Sequence, residues 1–224
     1  MFENKKVIWG KKCEKCSSDV YILQDKFHPW NFSSARYIVK CKACGYKNII
    51  NQADAGNYYS EKILKHFNFV SGVIIDIGCG GGMLTKYLND KSGVTKIYAH
   101  DIDNECKKDI ESINSQKITF INDDIGNIKS HFNNKSIDYI ISRDVLMFIK
   151  DIKNHLNDCV NIARKGIIAI GWYDLNNDRM INKINPYDFI KDLEGVEQVN
   201  IQEFNWYKNG YMINIKLNFN NEED

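Results

Sequence analysis

Residues 73–82, Val-Ile-Ile-Asp-Ile-Gly-Cys-Gly-Gly-Gly, join a short β-branched run to a glycine-rich turn. Glycines after a strand let the backbone turn tightly and approach a ligand with no Cβ in the way. A dinucleotide-binding turn would require its third glycine at position 83, which is Met83. The spacing is instead Asp-x-Gly-x-Gly-x-Gly, beginning at Asp76, and it predicts a ligand-binding turn of a different type that opens a helix.

Further apolar runs follow this one, with helical patterns between them. The strand candidates are residues 73–77, 95–100, 117–121, 137–142 and 166–172, and the helical candidates are residues 83–89, 104–113 and 149–163. This alternation predicts an α/β domain with a mostly parallel, doubly wound sheet. Near the end of the chain, Asn185-Pro186 predicts a helix over residues 187–193. Residues 196–204 and 211–219 alternate around an Asn-Gly turn and predict an antiparallel hairpin.

The two ends of the chain differ in charge, although the 224 residues carry 30 basic and 29 acidic side chains in total. Residues 1–50 contain 10 Lys or Arg and 4 acids, a net charge of +6, which leaves 20 basic and 25 acidic side chains in the rest. We therefore predict two domains, residues 1–52 and 57–224. No apolar run reaches the roughly 20 residues of a membrane span, and the first residues lack the apolar core of a secretory signal, so we expect a cytoplasmic protein with no membrane partner.

Four of the seven cysteines form two Cys-x-x-Cys pairs, Cys13 with Cys16 and Cys41 with Cys44. In a chain without export signals these thiols should be reduced, which favours metal binding over disulfides. Four thiolates at about 2.3 Å make a closed tetrahedral zinc site, and Gly45 permits the left-handed turn of a zinc knuckle. The spacing predicts one structural Zn²⁺, which would also help so short a segment to fold.

The glycine turn resembles motif I of the class I S-adenosylmethionine-dependent methyltransferases, and the resemblance extends over residues 57–224. It implies a Rossmann-like, seven-stranded sheet with the antiparallel hairpin at its end, and S-adenosyl-L-methionine as cofactor. It also implies that Asp101 binds the ribose hydroxyls and that Asp124 meets the adenine amino group, with Asp123 as the rival and Ile125 packing on the ring. The cofactor-binding residues implied in this way are Asp76, Gly78, Cys79, Gly80, Gly82, Asp101, Ile102, Asp124, Ile125 and Ser142.

The acceptor side should lie at the carboxyl ends of the fourth and fifth strands, at residues 142–149 and 172–174. Related small-molecule enzymes often place a Glu-His pair where this chain has Met147 and Phe148, so their usual candidate base is missing and we expect an apolar wall. Arg143 and Asp144 remain as candidate catalytic residues. Arg143 could hold an anionic acceptor, and Asp144 could take a proton or fix the sulfonium end of the cofactor.

The acceptor itself stays open at this point. A zinc-ribbon-like module followed by the pair Tyr58-Tyr59, here a candidate lid, resembles a bacterial group that methylates small molecules or glycan precursors. A group of ribosomal-RNA methyltransferases also carries an N-terminal zinc site, and Lys11, Lys12 and Lys15 could face RNA. A third reading is a non-catalytic, cofactor-binding protein. The oligomeric state is not predicted.

Overall fold

The computed structural model describes residues 7–22, 36–51, 63–173, 180–181, 190, 193–204 and 209–218, with side chains in the first two ranges at 13–18 and 40–47. The chain separates into two compact units, Met1–Asn68 and Phe69–Asp224. The predicted bounds of the domains, 1–52 and 57–224, stay a prediction because residues 52–62 lie outside the described part. Outside it lie also Tyr58, Tyr59, Asp174, the side chains of Lys11 and Lys12, and all of the predicted helix over residues 187–193 except Ile190 and Leu193.

The first unit contains an antiparallel sheet of four strands in the order β1-β2-β3-β4. The strands are β1 (Val7–Lys12), β2 (Asp19–Ile22), β3 (Arg36–Cys41) and β4 (Lys47–Asn51). One Cys-x-x-Cys pair lies in the turn between β1 and β2, and the other begins at the end of β3 and fills the turn into β4. Two hairpins thus each present one cysteine pair.

The second unit is built on a seven-stranded sheet in the order β10-β11-β9-β8-β5-β6-β7. Its strands are β5 (Gly72–Ile77), β6 (Val94–Asp101), β7 (Ile118–Asn122), β8 (Ile137–Arg143), β9 (Ala163–Trp172), β10 (Val196–Phe204) and β11 (Gly210–Leu217). Strands β5 to β9 pair in parallel, whereas β11 pairs antiparallel with both β9 and β10. The predicted fold class is confirmed, including the C-terminal hairpin.

Helices and short 3-10 turns connect the parallel strands, and a further 3-10 turn of the first unit, Lys65–Phe67, precedes β5. The helices are α1 (Met83–Asn89), α2 (Cys106–Ser112), α3 (Ile128–His131) and α4 (Ile152–Ile162), and the connecting 3-10 turns are Ile125–Asn127 and Leu146–Phe148. Helix α4 begins where the Asp151 side chain accepts a hydrogen bond from the Asn154 backbone N–H at 3.0 Å, as an N-cap does. Among the described residues, no helix is long and apolar enough to cross a membrane.

The core lies between the central strands and the helices. Ile74, Ile75 and Ile77 of β5 are at most 1% exposed, as expected for a parallel strand that is covered on both faces. Helix α4 contributes an apolar stripe made of Ile152, Leu156, Cys159, Val160 and Ile162. Parallel strands end at one edge of their sheet, so this packing fixes the loops that follow β5, β6, β7 and β8 side by side.

Candidate functional site

The glycine turn after β5 has the left-handed conformations that its sequence predicts. Gly78, Gly80 and Gly82 have φ angles of +65°, +49° and +76°. Residues that carry a Cβ rarely adopt this left-handed region. A Cβ at Gly78 would collide with the side chain of Val145, whereas one at Gly80 would meet no atom within 4 Å. Gly78 is thus required by packing, and Gly80 leaves open space on the side where a ligand can approach.

Asp76 lies directly before this turn and is 2% exposed. Its Oδ2 accepts a hydrogen bond from the Thr85 hydroxyl at 2.6 Å, across the turn on helix α1. Burial raises the pKa of Asp76 to about 7, although the Thr85 hydrogen bond and the charge of Arg143 act in the opposite direction. A carboxyl group whose charge is this poorly solvated responds strongly to any cation brought beside it.

Asp101 ends β6, and its carboxylate is already held in place. Oδ2 accepts the Gly80 backbone N–H at 2.8 Å, and Oδ1 accepts the Asp103 backbone N–H at 3.0 Å. A carboxylate has about four acceptor positions, so both oxygens can still accept hydroxyl groups. The next residue, Ile102, leaves 68% of its side chain exposed, which gives an apolar surface beside a polar group.

The turn after β7 contains the two candidate acids for the adenine position, Asp123 and Asp124. Asp123 uses both oxygens within the protein, because Oδ1 accepts from the Asp124 backbone and Oδ2 lies 2.8 Å from His131 Nε2. Asp124 is exposed and accepts the Gly126 N–H at Oδ1, 2.8 Å away. Of the two carboxylates, that of Asp124 is the less occupied within the described part of the chain. Ile125, which follows it, is partly buried against the main core cluster.

Two further residues predicted for the cofactor site are buried. Cys79 is 8% exposed, and burial raises its pKa above the ordinary value of a thiol. It therefore has little thiolate character and is a structural residue of the turn rather than a nucleophile. Ser142, near the end of β8, is 5% exposed and pairs in the sheet with Ile77 on one side and Ala169 on the other.

Arg143 and Asp144 follow at the carboxyl end of β8 and form an ion pair. Arg143 Nε donates to Asp144 Oδ2 at 3.1 Å, and its Nη1 lies 3.2 Å from Met83 Sδ. Both side chains are about one quarter exposed, at 28% and 27%. Asp144 has a φ of +57°, and its backbone N–H donates to the Ile170 carbonyl at 2.7 Å. A non-glycine residue in this region is strained, and such strain clusters at functional sites.

The apolar wall that replaces the missing Glu-His pair belongs largely to the core. Met147 is 2% exposed, and its carbonyl accepts the Ile181 N–H at 2.9 Å, while Phe148 is half-buried. Both lie in the 3-10 turn Leu146–Phe148 that follows Asp144. Met147 is therefore a core residue, and an apolar wall of the acceptor pocket stays a prediction.

The strand order aligns these groups along one edge of the sheet, as β8, β5, β6 and β7 are successive neighbours. Arg143 and Asp144, the glycine turn, Asp101 and Asp124 therefore follow one another over three strand spacings, about 14 Å. Thr85, Asn122 and His131 support this row and were not identified from the sequence. Their signal would have been a polar residue on an amphipathic helix or just after a strand, which is common on any surface.

The four paired cysteines of the first unit come together. Their Sγ atoms all lie within 4.8 Å of one another, with Cys13 and Cys44 at 3.6 Å and Cys16 and Cys41 at 3.4 Å. A tetrahedron of thiolates about 2.3 Å from zinc has edges of about 3.8 Å. The observed spacing is close to that geometry.

Two equivalent knuckles carry these sulfur atoms. Cys13 Sγ accepts the Lys15 N–H, and Cys41 Sγ accepts the Cys44 N–H, each at 3.4 Å. The residue after each pair is left-handed, with φ of +56° at Ser17 and +72° at Gly45, as predicted for Gly45.

The thiol pKa values of this cluster diverge. The Ser18 backbone N–H is the largest of the hydrogen bonds that lower the pKa of Cys16 to about 6. At Cys44 the Tyr46 N–H lowers the pKa, but desolvation and the three neighbouring sulfurs outweigh it and raise the pKa to about 12. Neighbouring sulfurs thus disfavour a fourth thiolate, and a cation bound among them would offset that repulsion.

Comparison with known proteins agrees with this geometry. Residues 75–170 match the family model described as a methyltransferase domain. A comparison with curated protein sequences gives no match. An S-adenosylmethionine-dependent methyltransferase from Aquifex aeolicus superposes with a TM-score of 0.56 at 17% identity, covering 70% of this chain and 89% of that one. Another, from Archaeoglobus fulgidus, gives a TM-score of 0.58 at 13% identity, covering 74% of this chain and 95% of that one.

A third solved structure has its cofactor product bound. Magnesium protoporphyrin IX methyltransferase from Synechocystis PCC 6803, with bound S-adenosylhomocysteine, gives a TM-score of 0.55 at 15% identity and covers 75% of this chain and 89% of that one. These structures, all below 25% identity, show a shared fold. Residues 75–170 match a methyltransferase domain, and they lie in a fold that S-adenosylmethionine-dependent methyltransferases share.

Proposed function

We propose that this protein transfers the methyl group of S-adenosylmethionine to a small molecule or a glycan precursor. The observation that carries the proposal is the row of groups at the carboxyl edge of the sheet. The row begins with the exposed Asp124 after β7 and continues with the hydrogen-bonded carboxylate of Asp101 at the end of β6. It then reaches the open glycine turn after β5 and ends at the Arg143–Asp144 ion pair at the end of β8.

The residues of this row fit the parts of the cofactor. Asp124 suits the adenine amino group, Ile102 gives the base an apolar surface, and Asp101 suits the ribose hydroxyls. The missing side chain at Gly80 leaves space that no protein atom fills. Asp76, directly before the glycine turn, suits the ammonium group of the amino-acid end, since a buried carboxyl group favours a nearby cation.

The bound cofactor supplies an already activated methyl group, so the protein must align the acceptor and, for a hydroxyl acceptor, remove its proton. Asp144 is the candidate base because its carboxylate lies at the carboxyl end of β8 and is partly open to solvent. Arg143 holds that carboxylate at 3.1 Å and offers a charge to an anionic acceptor.

A small acceptor is the better supported class, because the Synechocystis neighbour is named for a small-molecule substrate, a porphyrin. RNA is the second candidate. The knuckles of the first unit carry exposed lysines at positions 15, 42 and 47, which is the kind of surface that contacts phosphates.

The test is to incubate the pure protein with methyl-labelled cofactor and separate pools of metabolites, RNA and protein, and to see which pool gains label. The proposal expects label in the metabolite pool, and label confined to RNA would establish the second candidate. The variant Asp144→Asn is the matched control, because it keeps the shape of the side chain and removes its basicity. Cofactor binding with no label in any pool would favour a non-catalytic protein.

We further propose that Cys13, Cys16, Cys41 and Cys44 bind one structural Zn²⁺ in the first unit. Support comes from the near-tetrahedral spacing of the four sulfurs and from two turns that share their backbone hydrogen bonds and a left-handed residue after each pair. Four thiolates leave no position for water, so the site is closed and not catalytic. Elemental analysis of protein purified without chelator should find one zinc per chain, and a metal-free protein with an intact first unit would contradict the assignment.

A further inference from the structure

Three consecutive polar residues, Asn122 to Asp124, lie at the end of β7, and each side chain has a different role. Asn122 Nδ2 donates to the carbonyls of Asp101 and Ile102, at 3.0 and 2.9 Å. It therefore ties the ribose-side turn to the end of the neighbouring strand. Asp123 and Asp124 act within the second turn, which begins at that point.

Asp123 is the centre of a closed hydrogen-bond network. Its Oδ1 accepts the backbone N–H of Asp124 at 2.7 Å and Asn127 Nδ2 at 2.9 Å, and its Oδ2 pairs with His131 Nε2 at 2.8 Å. The Asn127 and His131 hydrogen bonds are the largest effects on this carboxyl group and lower the pKa of Asp123 to about 2. Asp123 thus stays ionised at any physiological pH and links helix α3 to the backbone of Asp124.

Helix α3 gives this network a fixed support. Ile128, at its start, is fully buried, and Phe132, directly after it, packs edge-on against Tyr98 with ring centroids 4.9 Å apart. His131 therefore lies between two anchors in the core, although its own side chain is 32% exposed. Because the buried neighbours hold helix α3 in place, His131 can orient the turn that contains Asp123 and Asp124.

Asp124 is the residue that this support orients. Its Oδ1 accepts the Gly126 N–H at 2.8 Å, and its Oδ2 accepts no hydrogen bond from the described part of the chain. A Cβ at Gly126 would lie 3.2 Å from Asp124 Oδ1, so the carboxylate is closely held on that side as well. One oxygen is fixed, and the other is left for a ligand.

We propose that His131, through Asp123 and with Asn127, is a positioning residue that presents Asp124 to the amino group of the adenine base. This rests on the proposed function, because it requires that the edge of the sheet binds S-adenosylmethionine. A carboxylate that is ordered before binding spares the loss of side-chain freedom, an effect worth about three- to tenfold in affinity. In this role His131 acts through Asp123 alone, so its effect should be specific to the base contact.

The test measures binding by calorimetry for two ligands, S-adenosylhomocysteine and S-inosylhomocysteine, in which an oxygen replaces the 6-amino group. His131→Phe should weaken the adenine ligand about three- to tenfold and the inosine ligand less than about twofold. His131→Gln, which keeps a donor for Asp123, should restore most of the difference. Gly126→Ala, which presses on Asp124 directly, should show the same base-selective loss.

The control is Lys216→Gln, which breaks an exposed ion pair of 2.6 Å with Glu197 on the far side of the sheet and should leave both affinities unchanged. Equal weakening of both ligands by His131→Phe, or no weakening, would overturn the positioning role. Wild-type protein that binds neither ligand would overturn the proposed function itself. The two failures are therefore distinguishable.

Discussion

The buried carboxyl group of Asp76 predicts a stability change that can be worked from the structure. Burial raises its pKa from 3.8 to about 7, a difference of about 3 pKa units or about 4 kcal/mol between the two protonation states. The variant Asp76→Asn removes this titration and keeps an oxygen that can accept the Thr85 hydroxyl. The new amide NH₂ group is buried, and it lowers the free energy of unfolding by about 1–3 kcal/mol if it finds no acceptor.

The sign follows from the two pKa values. Well below pH 4 the carboxyl group is protonated in both the folded and the unfolded chain, so its raised pKa does not change the free energy of unfolding. Between pH 4 and 7 the unfolded chain releases the proton and the folded chain keeps it, so the wild-type protein loses up to about 4 kcal/mol as the pH rises. Above pH 7 the loss is constant. Asp76→Asn lacks this loss and should be the more stable protein at pH 8 by about 1–3 kcal/mol.

The assay is urea unfolding of both proteins at several values between pH 4.5 and 8. The quantity compared is the difference in their free energies of unfolding, because contributions from other titrating groups and from the first unit cancel in it. Asp138→Asn is the opposite control. The Val73 N–H and the charges of Lys165 and Arg164 outweigh burial and lower the pKa of Asp138, so this variant should lose stability at pH 8 and approach the wild type as the pH falls. Parallel pH curves for wild type and Asp76→Asn would refute the raised pKa.

Three further predictions concern the two sites. Asp101→Ala should weaken S-adenosylmethionine binding by about 1.5–3 kcal/mol, the usual loss for charge-assisted hydrogen bonds, and equal affinity in calorimetry would reject the ribose assignment. Asp144→Asn should lower turnover by about 10²-fold or more with little change in cofactor affinity, and a collapse of affinity would instead place Asp144 at the sulfonium end. Chelation of the metal should abolish the β signal of the first unit in circular dichroism, as should Cys16→Ser, and a spectrum unchanged by both treatments would argue against a structural metal.

Much of the fold could be predicted from the sequence, because hydrophobic period and glycine placement decide it locally. Helix Met83–Asn89 and strand Val196–Phe204 have the predicted bounds. Strand β9 begins at Ala163 rather than residue 166 because Arg164 and Lys165 form ion pairs with Asp138, and their charges conceal the strand. Helix α2 begins at Cys106 rather than residue 104 because the Asp103 side chain accepts the Glu105 N–H and holds the preceding turn.

The sequence placed the candidate residues at the strand ends where the structure has them, but their roles stay predictions and their electrostatics could not be predicted. The glycine turn, Asp101 and the cysteine cluster follow from spacing. The choice between Asp123 and Asp124 depends on His131, eight residues further along the chain. The left-handed backbone of Asp144 arises where the strand meets the next turn. It depends on tertiary packing, so it could not be predicted from the sequence pattern.

The position of β7 at the end of the sheet has a consequence for cofactor exchange. Among the described strands β7 pairs with β6 alone, over five residues, so it is held by one ladder where the central strands have two. Edge elements open locally at lower free energy than the centre of a sheet. An adenine bound against the end of β7 would stabilise this edge strand, so the amide hydrogens of residues 118–122 would exchange more slowly than in the cofactor-free protein. Release of the spent cofactor could then begin by fraying of a single strand, while the acceptor end of the sheet stays intact.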